Sequence, residues 1–154
     1  MTAKDKDARI SATTVNWVTQ ASFKPPLVAV GVKTGSQIHD IFKTTRNFAL
    51  NVLGKGQQGA AYAFFKTAER DGQKISGEPF RAGITGAPIL EDTPDLVECR
   101  LLTTVEESDH SIFMRKVVVS EVTQEPEGLA DKATLLQKDL GEKKFLRRMI
   151  RTII

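Results

Sequence analysis

The sequence has little of several residue types on which common catalytic and binding sites depend. Its 154 residues include one cysteine, Cys99, and two histidines, His39 and His110. A single cysteine cannot form an intramolecular disulfide or a cysteine-based metal site, and we expect Cys99 to be a buried apolar residue. The two histidines stand at no recognisable metal-ligand spacing. We therefore expect no metal site.

Long apolar runs are also absent, and none approaches the roughly 20 residues that a membrane-spanning helix needs. The N-terminus lacks the apolar stretch of a secretory signal. The sequence thus predicts no integral membrane segment and a cytoplasmic location.

Positive charge is concentrated at one end of the chain. Five cations fall within residues 143–154, so removing them from the net charge of +3 leaves −2 for the rest. The body offers no basic face with aromatic platforms, and we expect no nucleic-acid partner. We interpret residues 1–142 as one domain and 143–154 as a basic amphipathic tail. The tail's apolar face would pack on its own domain or a sister subunit, or else bind a partner or a membrane surface.

The patterning predicts a mainly β fold with short helices. Strands are expected over 10–23, 27–32, 48–53, 96–105 and 112–122, because these segments are β-branched or continuously apolar and end at turn residues. Residues 60–65 predict a short helix, and the glycines and prolines of 69–94 predict loops and short strands. A barrel or sandwich of antiparallel strands accommodates this order.

Side-chain chemistry alone does not indicate a reaction. The cluster SDHS at 108–111 contains serine, aspartate and histidine, but catalytic triads are assembled from separate elements. There is no GxGxxG or P-loop motif. If the chain is an enzyme, a cofactor is expected to carry the reaction.

One anion site is predicted from the residues themselves. In VKTGSQIHD a strand ends at Lys33, and Ser36 caps a helix over 36–44 whose apolar residues share one face. The free N–H groups and the dipole of a helix N-terminus favour negative charge. Lys33, Ser36 and His39 are therefore candidates to hold a phosphate, although an ordinary capped surface helix has the same pattern.

The order of motifs resembles the flavin reductase-like domain family. The run TVNWVTQASFKPPLVAVGVKTGSQIHDIFKTTRNFALNVL carries the Thr-x-x-Trp strand, the serine before a double-proline turn, the serine-containing turn followed by histidine, and the Asn-Val strand. SGEPFRAGITGAPIL, ECRLL and SDHSIFMRKVVVSEV follow in the family's order. The likeness covers about residues 3 to 140 and implies an FMN-binding split barrel of Greek-key type.

The resemblance also implies the site. The flavin would lie along the stretch from Thr14 to Ser22, with the ribityl chain and phosphate farther along and His110 near the flavin face as the catalytic residue. The cofactor-binding residues implied are Thr14, Asn16, Trp17, Val18, Thr19, Ser22, Lys33, Ser36 and His39.

The function implied is an NAD(P)H-dependent oxidoreductase of the flavin reductase type, with FMN as cofactor and FAD as the alternative flavin. A homodimer is expected, since split barrels of this kind place the flavin near a subunit interface. Two alternatives stay open: an FMN-binding electron-transfer module reduced by a redox protein partner, and an interaction domain that has lost flavin.

The chain departs from the family pattern at several positions. Ile38 stands where threonine is common, which would remove a hydroxyl from the phosphate site. Ser108 replaces the glycine before Asp-His. Arg115 and Lys116 stand where Gly-Glu is common and would place two extra cations on that strand.

Overall fold

The computed structural model describes residues 1–54 and 56–122. In these ranges the chain forms eleven strands and two helices, in the order β1 (Thr2–Lys4), β2 (Ile10–Ala12), β3 (Val18–Phe23), β4 (Pro26–Lys33), α1 (Gln37–Thr44), β5 (Asn47–Val52), α2 (Gln58–Ala63), β6 (Arg70–Asp71), β7 (Lys74–Ile75), β8 (Glu78–Ala82), β9 (Pro88–Leu90), β10 (Asp95–Val105) and β11 (His110–Val122). The tail predicted at 143–154 lies outside the described residues.

Seven strands form one sheet in the order β2-β1-β5-β10-β11-β4-β3. Every pairing in it is antiparallel. Neighbours in this sheet are often distant in sequence, since β11 pairs with β4 and β5 pairs with both β1 and β10. The predicted mainly β architecture with short helices is confirmed. Strands β6 to β9 form a smaller sheet from the segment 69–94, as its glycines and prolines predicted.

The segment 10–23 is not one strand, and this prediction is wrong. It splits into β2 and β3 because residues 13–17 leave the ladder and turn toward α2. The backbone N–H of Thr14 donates to the Phe64 carbonyl at 3.2 Å, and the Thr14 hydroxyl donates to the Ala61 carbonyl at 2.7 Å. The second helix also begins and ends two residues earlier than expected, at Gln58 and Ala63.

Helix α1 covers one open side of the large sheet. Its N-cap is Ser36, as predicted, and its buried residues are Ile38, His39, Ile41 and Phe42. These apolar side chains join the main core with residues of β4, β5, β10 and β11 such as Val30, Phe48 and Phe113. Helix α1 thus covers the inner face of the large sheet. On the outer face, Ala49 of β5 and Leu96 of β10 are covered by Ala87 and Ile89, whereas the part formed by β11, β4 and β3 carries exposed residues.

A buried carboxylate fixes the turn between β8 and β9. Glu98 on β10 is 2% exposed and accepts hydrogen bonds from the Ile84 N–H at 3.0 Å and from the Thr85 N–H at 2.7 Å. Gly83 lies against this carboxylate, and a Cβ there would stand 2.5 Å from Oε2. The turn is therefore held to the large sheet by this carboxylate and by Ala87, which packs with Ala49 and Leu96. Ile84 projects into solvent.

Candidate functional site

The candidate site lies on the outer face of the sheet, where β11, β4 and the start of β3 run side by side. In the register, His110 stands opposite Lys33 and Ile112 stands opposite Gly31. The Trp17 carbonyl accepts a hydrogen bond from the Gly31 N–H at 2.8 Å, which aligns Trp17 with this row. Because side chains alternate along a strand, these residues share one face.

Trp17 and His110 are stacked on this outer face. Their ring centroids lie 4.4 Å apart, and their planes are inclined by 32°. The Trp17 side chain remains 57% exposed, so one side of the indole is open to a ligand. The structure thus brings together the predicted catalytic histidine and a predicted cofactor-binding residue.

Gly31 makes this stack geometrically feasible. A Cβ at position 31 would lie 2.9 Å from Cε3 and 3.1 Å from Cβ of Trp17. Real Cβ atoms essentially never approach another heavy atom to under 3.0 Å. The indole therefore lies directly on the backbone of β4, where any larger residue would displace it.

The turn before His110 is tied to the end of β4. The Asp109 carbonyl accepts from the Thr34 N–H at 2.9 Å and from the Thr34 hydroxyl at 3.0 Å. The Asp109 carboxylate lies 3.3 Å from Nδ1 of His110. This contact does not have hydrogen-bond geometry, since Nδ1 has no hydrogen-bond partner among the described residues. The backbone of the turn is thus better fixed than the imidazole it carries.

Lys33 and Ser36 lie together at the predicted phosphate end. The Ser36 hydroxyl donates to the Lys33 carbonyl at 2.8 Å and accepts from the His39 N–H at 3.3 Å. Lys33 is exposed and has no carboxylate partner in the part of the chain that the structure describes. An ammonium group and a capped helix N-terminus therefore stand next to the Trp17–His110 stack, a donor set suited to a phosphate.

His39 does not point toward this surface. Its side chain is 4% exposed, its Nε2 lies 2.8 Å from the Ser111 hydroxyl, and its ring meets Phe113 edge-on. It contributes its backbone N–H to the helix cap, while its imidazole joins α1 to β11. The structure therefore does not bring the His39 imidazole together with Lys33 and Ser36 at the predicted phosphate end.

The expectation that Ile38 removes a hydroxyl from the phosphate site does not fit its place in the structure. Its side chain is 3% exposed and belongs to the main core. With Ile41 and Phe42 it forms the apolar face of α1, so its position is set by helical periodicity. An isoleucine here removes no hydroxyl from the outer surface.

Three other predicted residues surround a cavity at the end of the sheet. Thr14, Asn16 and Val18 line it together with residues of β5 such as Leu50, and with Leu53 and Phe64, which follow β5 and α2. Its volume is about 280 Å³, near the lower end of the range for small-molecule pockets. The backbone of residues 14–18 therefore separates this cavity from the stacked rings on the outer face.

The remaining predicted residues follow β3. Thr19 is exposed and opposite Ala29 on the outer face. Ser22 is half-buried and opposite Leu27, beyond an irregularity in the register after Gln20. Both residues lie along the outer face in the direction away from Lys33 and Ser36.

Arg115 lies on the predicted strand, but its side chain does not reach solvent. It is fully buried, and its guanidinium carbon lies 4.8 Å, 5.1 Å and 5.1 Å from the ring centroids of Phe42, Phe48 and Phe113. Its Nε and one terminal nitrogen have no hydrogen-bond partner among the described residues. Burial lowers the pKa of Arg115 to about 10, partly offset by Cys99. Lys116, the next residue on this strand, is exposed.

The sequence reasoning missed Gly31 and Ser111. Alternation along β11 from His110 places Ile112 on the same face, but only the cross-strand register shows that Gly31 lies beneath Trp17. Ser111 is the partner of His39, and no motif indicates this pairing.

Neither helix in the described ranges has the length and apolar character needed to span a bilayer. Within the same ranges, no three or more histidine, cysteine, aspartate or glutamate residues are grouped as a metal site would require.

Comparison with protein families gives a match to the flavin reductase-like domain over residues 1–137. A flavin reductase of Pseudomonas putida is 32% identical over 129 residues, covering 84% of this chain and 74% of that protein. Diflavin flavoprotein A 1 of Synechocystis is 32% identical over 115 residues, covering 74% of this chain. This chain spans only 20% of that longer relative.

A solved structure shares the fold. The NADH:FAD oxidoreductase SgcE6 of Streptomyces globisporus, in complex with NAD and FAD fragments, is 26% identical with a TM-score of 0.67. The match covers 79% of this chain and 72% of that one.

Proposed function

The chain belongs to the flavin reductase-like domain family, and from this premise we propose that it is an NAD(P)H-dependent flavin reductase that binds FMN on the outer face. The observation that carries this proposal is the continuous arrangement of an exposed indole, an imidazole, an ammonium group and a helix N-terminus. The planar ring of FMN could pack against the indole and the imidazole, and its phosphate could bind the ammonium group and the helix N-terminus.

In this proposal, residues at different places in the site contact different parts of the flavin. Lys33 and the N–H groups at the start of α1 would hold the phosphate, because they supply positive charge and free donors at one end. Trp17 and the backbone of residues 16–19 would meet the ring, and Thr14, Thr19 and Ser22 would border it. When bound, the flavin supplies hydride acceptance and electron transfer to an acceptor. His110 would orient the reacting rings and supply or accept a proton at its imidazole.

FMN is the proposed flavin, and FAD is the competing one. The family resemblance favours FMN, whereas SgcE6 is named as an NADH:FAD oxidoreductase. Dissociation constants measured for FMN and for FAD would show which flavin the protein prefers.

We also propose that a second copy of the chain packs on the outer face. Beyond the stack, this face carries Ile112, Met114, Ala29 and Leu27, and Ile112 is 37% exposed. Such an exposed apolar sheet face is typical of an interface. A homodimer formed here would bury the ring site between subunits.

A second candidate function is favoured by the match to a diflavin flavoprotein. There the matching domain is one-fifth of a longer chain. In that case FMN would be reduced by a redox protein and would serve as an electron carrier.

The experiment that tests these proposals is a flavin titration followed by reduction. Absorbance spectra of the purified protein are recorded with FMN, FAD and riboflavin, and then with NADH and NADPH. Saturable binding with NAD(P)H-dependent turnover supports the reductase. Tightly bound FMN that only a protein donor reduces supports the carrier, and the absence of any flavin binding refutes both.

A further inference from the structure

We infer that Trp17 is a positioning residue for His110, acting across the backbone gap that Gly31 leaves in β4. This inference rests on the proposed function, since it gives Trp17 a part in the step that His110 serves. It differs from a simple flavin contact, because Trp17 would act through the imidazole.

The stack spans three neighbouring strands. Trp17 precedes β3, Gly31 belongs to β4, and His110 begins β11. The indole crosses β4 at the one position where the strand has no side chain on this row, and it reaches the imidazole at 4.4 Å between centroids. Aromatic pairs prefer such offset or tilted contacts over face-to-face stacking.

The imidazole has few other contacts to hold it. Its side chain is 25% exposed, and the turn residues 106–109 before it are all exposed. The Asp109 carboxylate at 3.3 Å does not make a hydrogen bond of good geometry. Without the indole, rotation about the side-chain bonds of His110 would be restricted only weakly.

This arrangement predicts which kinetic constant responds. A residue that only binds ligand affects KM, whereas a residue that orients a catalytic group affects kcat. Loss of orientation at a reacting group is costly even when the displacement is about 1 Å. We therefore expect Trp17→Leu to lower kcat about 10-fold, with KM for the nicotinamide substrate changed less than about 2-fold.

The first test measures the stack itself, without flavin. The chain has two histidines and one tryptophan, so the imidazole protons are readily assigned by NMR with His110→Gln. The indole should shift the His110 ring protons upfield. We expect Trp17→Leu to abolish this shift, Gly31→Ala to reduce it and Trp17→Phe to retain part of it. His39 protons should not change in any of these variants.

The second test is a double-mutant cycle in turnover. If Trp17 acts through His110, Trp17→Leu should have little further effect on kcat in the His110→Gln background. Trp17→Phe should restore most of the activity that Trp17→Leu loses. Tyr62→Leu is the matched control, because it removes a 67% exposed aromatic from α2 and should leave turnover unchanged.

The outcomes separate this inference from the proposed function. Unchanged His110 shifts in Trp17→Leu would overturn it regardless of activity. Equal losses of kcat in the two backgrounds would also overturn it. Absence of flavin-dependent turnover in the unmodified protein refutes the proposed function instead, while the NMR result still decides whether Trp17 positions His110.

Discussion

Arg115 shows how strongly a single residue can depart from the role that its type suggests. A guanidinium is normally solvated or paired, but here three phenylalanine rings surround it and its only described hydrogen bond, to the Arg46 carbonyl, is 3.5 Å long. Cation–π contact offsets part of the desolvation cost. The pKa of Arg115 is lower in the folded state than in the unfolded chain, so its positive charge destabilises the fold. This destabilisation is fully present below about pH 10 and decreases as the pH rises above that value.

We expect Arg115→Met to be neutral or stabilising by about 1–3 kcal/mol, because methionine fills similar volume without a buried charge. Urea unfolding of the two proteins measures this difference. Lys116→Met, at the exposed neighbouring position, is the control and should change stability little. A loss above about 1 kcal/mol in Arg115→Met would show instead that the contacts of the guanidinium with the three rings outweigh its desolvation cost.

Cys99 provides a second prediction at the level of one side chain. It is fully buried, and burial raises the pKa of its thiol to about 12, although the charge of Arg115 acts in the opposite direction. Since the thiolate is the reactive form, the native protein should not react with a thiol reagent at pH 8. Ser108→Cys, in the exposed turn before His110, should react at once. Fast labelling of Cys99 in native buffer would contradict the burial described above.

Among the elements, helix α1 combines a confirmed prediction with a corrected one. Its bounds and its Ser36 cap follow from local sequence, because capping and amphipathic periodicity involve only near neighbours. Ile38 lies on the apolar face that this periodicity defines. The inward position of the His39 imidazole was not expected, because it depends on which face of the helix meets β11. Local pattern defines a helix, whereas tertiary packing decides what each residue touches.

The N-terminus of α1 carries a prediction about cofactor choice. Ser36→Ala removes both the cap and a group next to Lys33, at a cost of about 1 kcal/mol to the helix. It should weaken FMN more than riboflavin, since only FMN has the phosphate. Thr44→Ala, which removes the Thr44 hydroxyl bond to the Ile41 carbonyl at the other end of α1, is the control. Equal weakening of both flavins would place the phosphate elsewhere.

The strands likewise follow from local sequence, whereas their interruptions depend on tertiary contacts. Strands β4, β5, β10 and β11 follow apolar runs that the sequence shows directly, and each was predicted within two residues. The break between β2 and β3 was missed, because bonds from Thr14 to the α2 region cause it. The candidate site was predicted in part: Trp17, Lys33, Ser36 and His110 meet, while Gly31 became visible only from the register.

For the whole molecule, the outer face of the sheet predicts assembly. We expect the protein to be a dimer in analytical ultracentrifugation and Ile112→Lys to shift it toward monomer, because a charge would enter an apolar interface. Ile84→Lys is the matched control, since Ile84 is 83% exposed on the fixed turn between β8 and β9. A monomeric unmodified protein, or equal effects of the two lysines, would exclude this interface.

The register between β4 and β11 also has a consequence for how the protein folds. The bonds from Thr34 to Asp109 join residues 75 positions apart, and His39 meets Ser111 across 72 positions. Closing such long loops is entropically costly and tends to be slow. The tryptophan in this chain stands at that seam, so its fluorescence should report a late step of folding. If flavin binds at the proposed site, a nascent or partly folded chain would consequently be unable to capture it until β4 and β11 had paired.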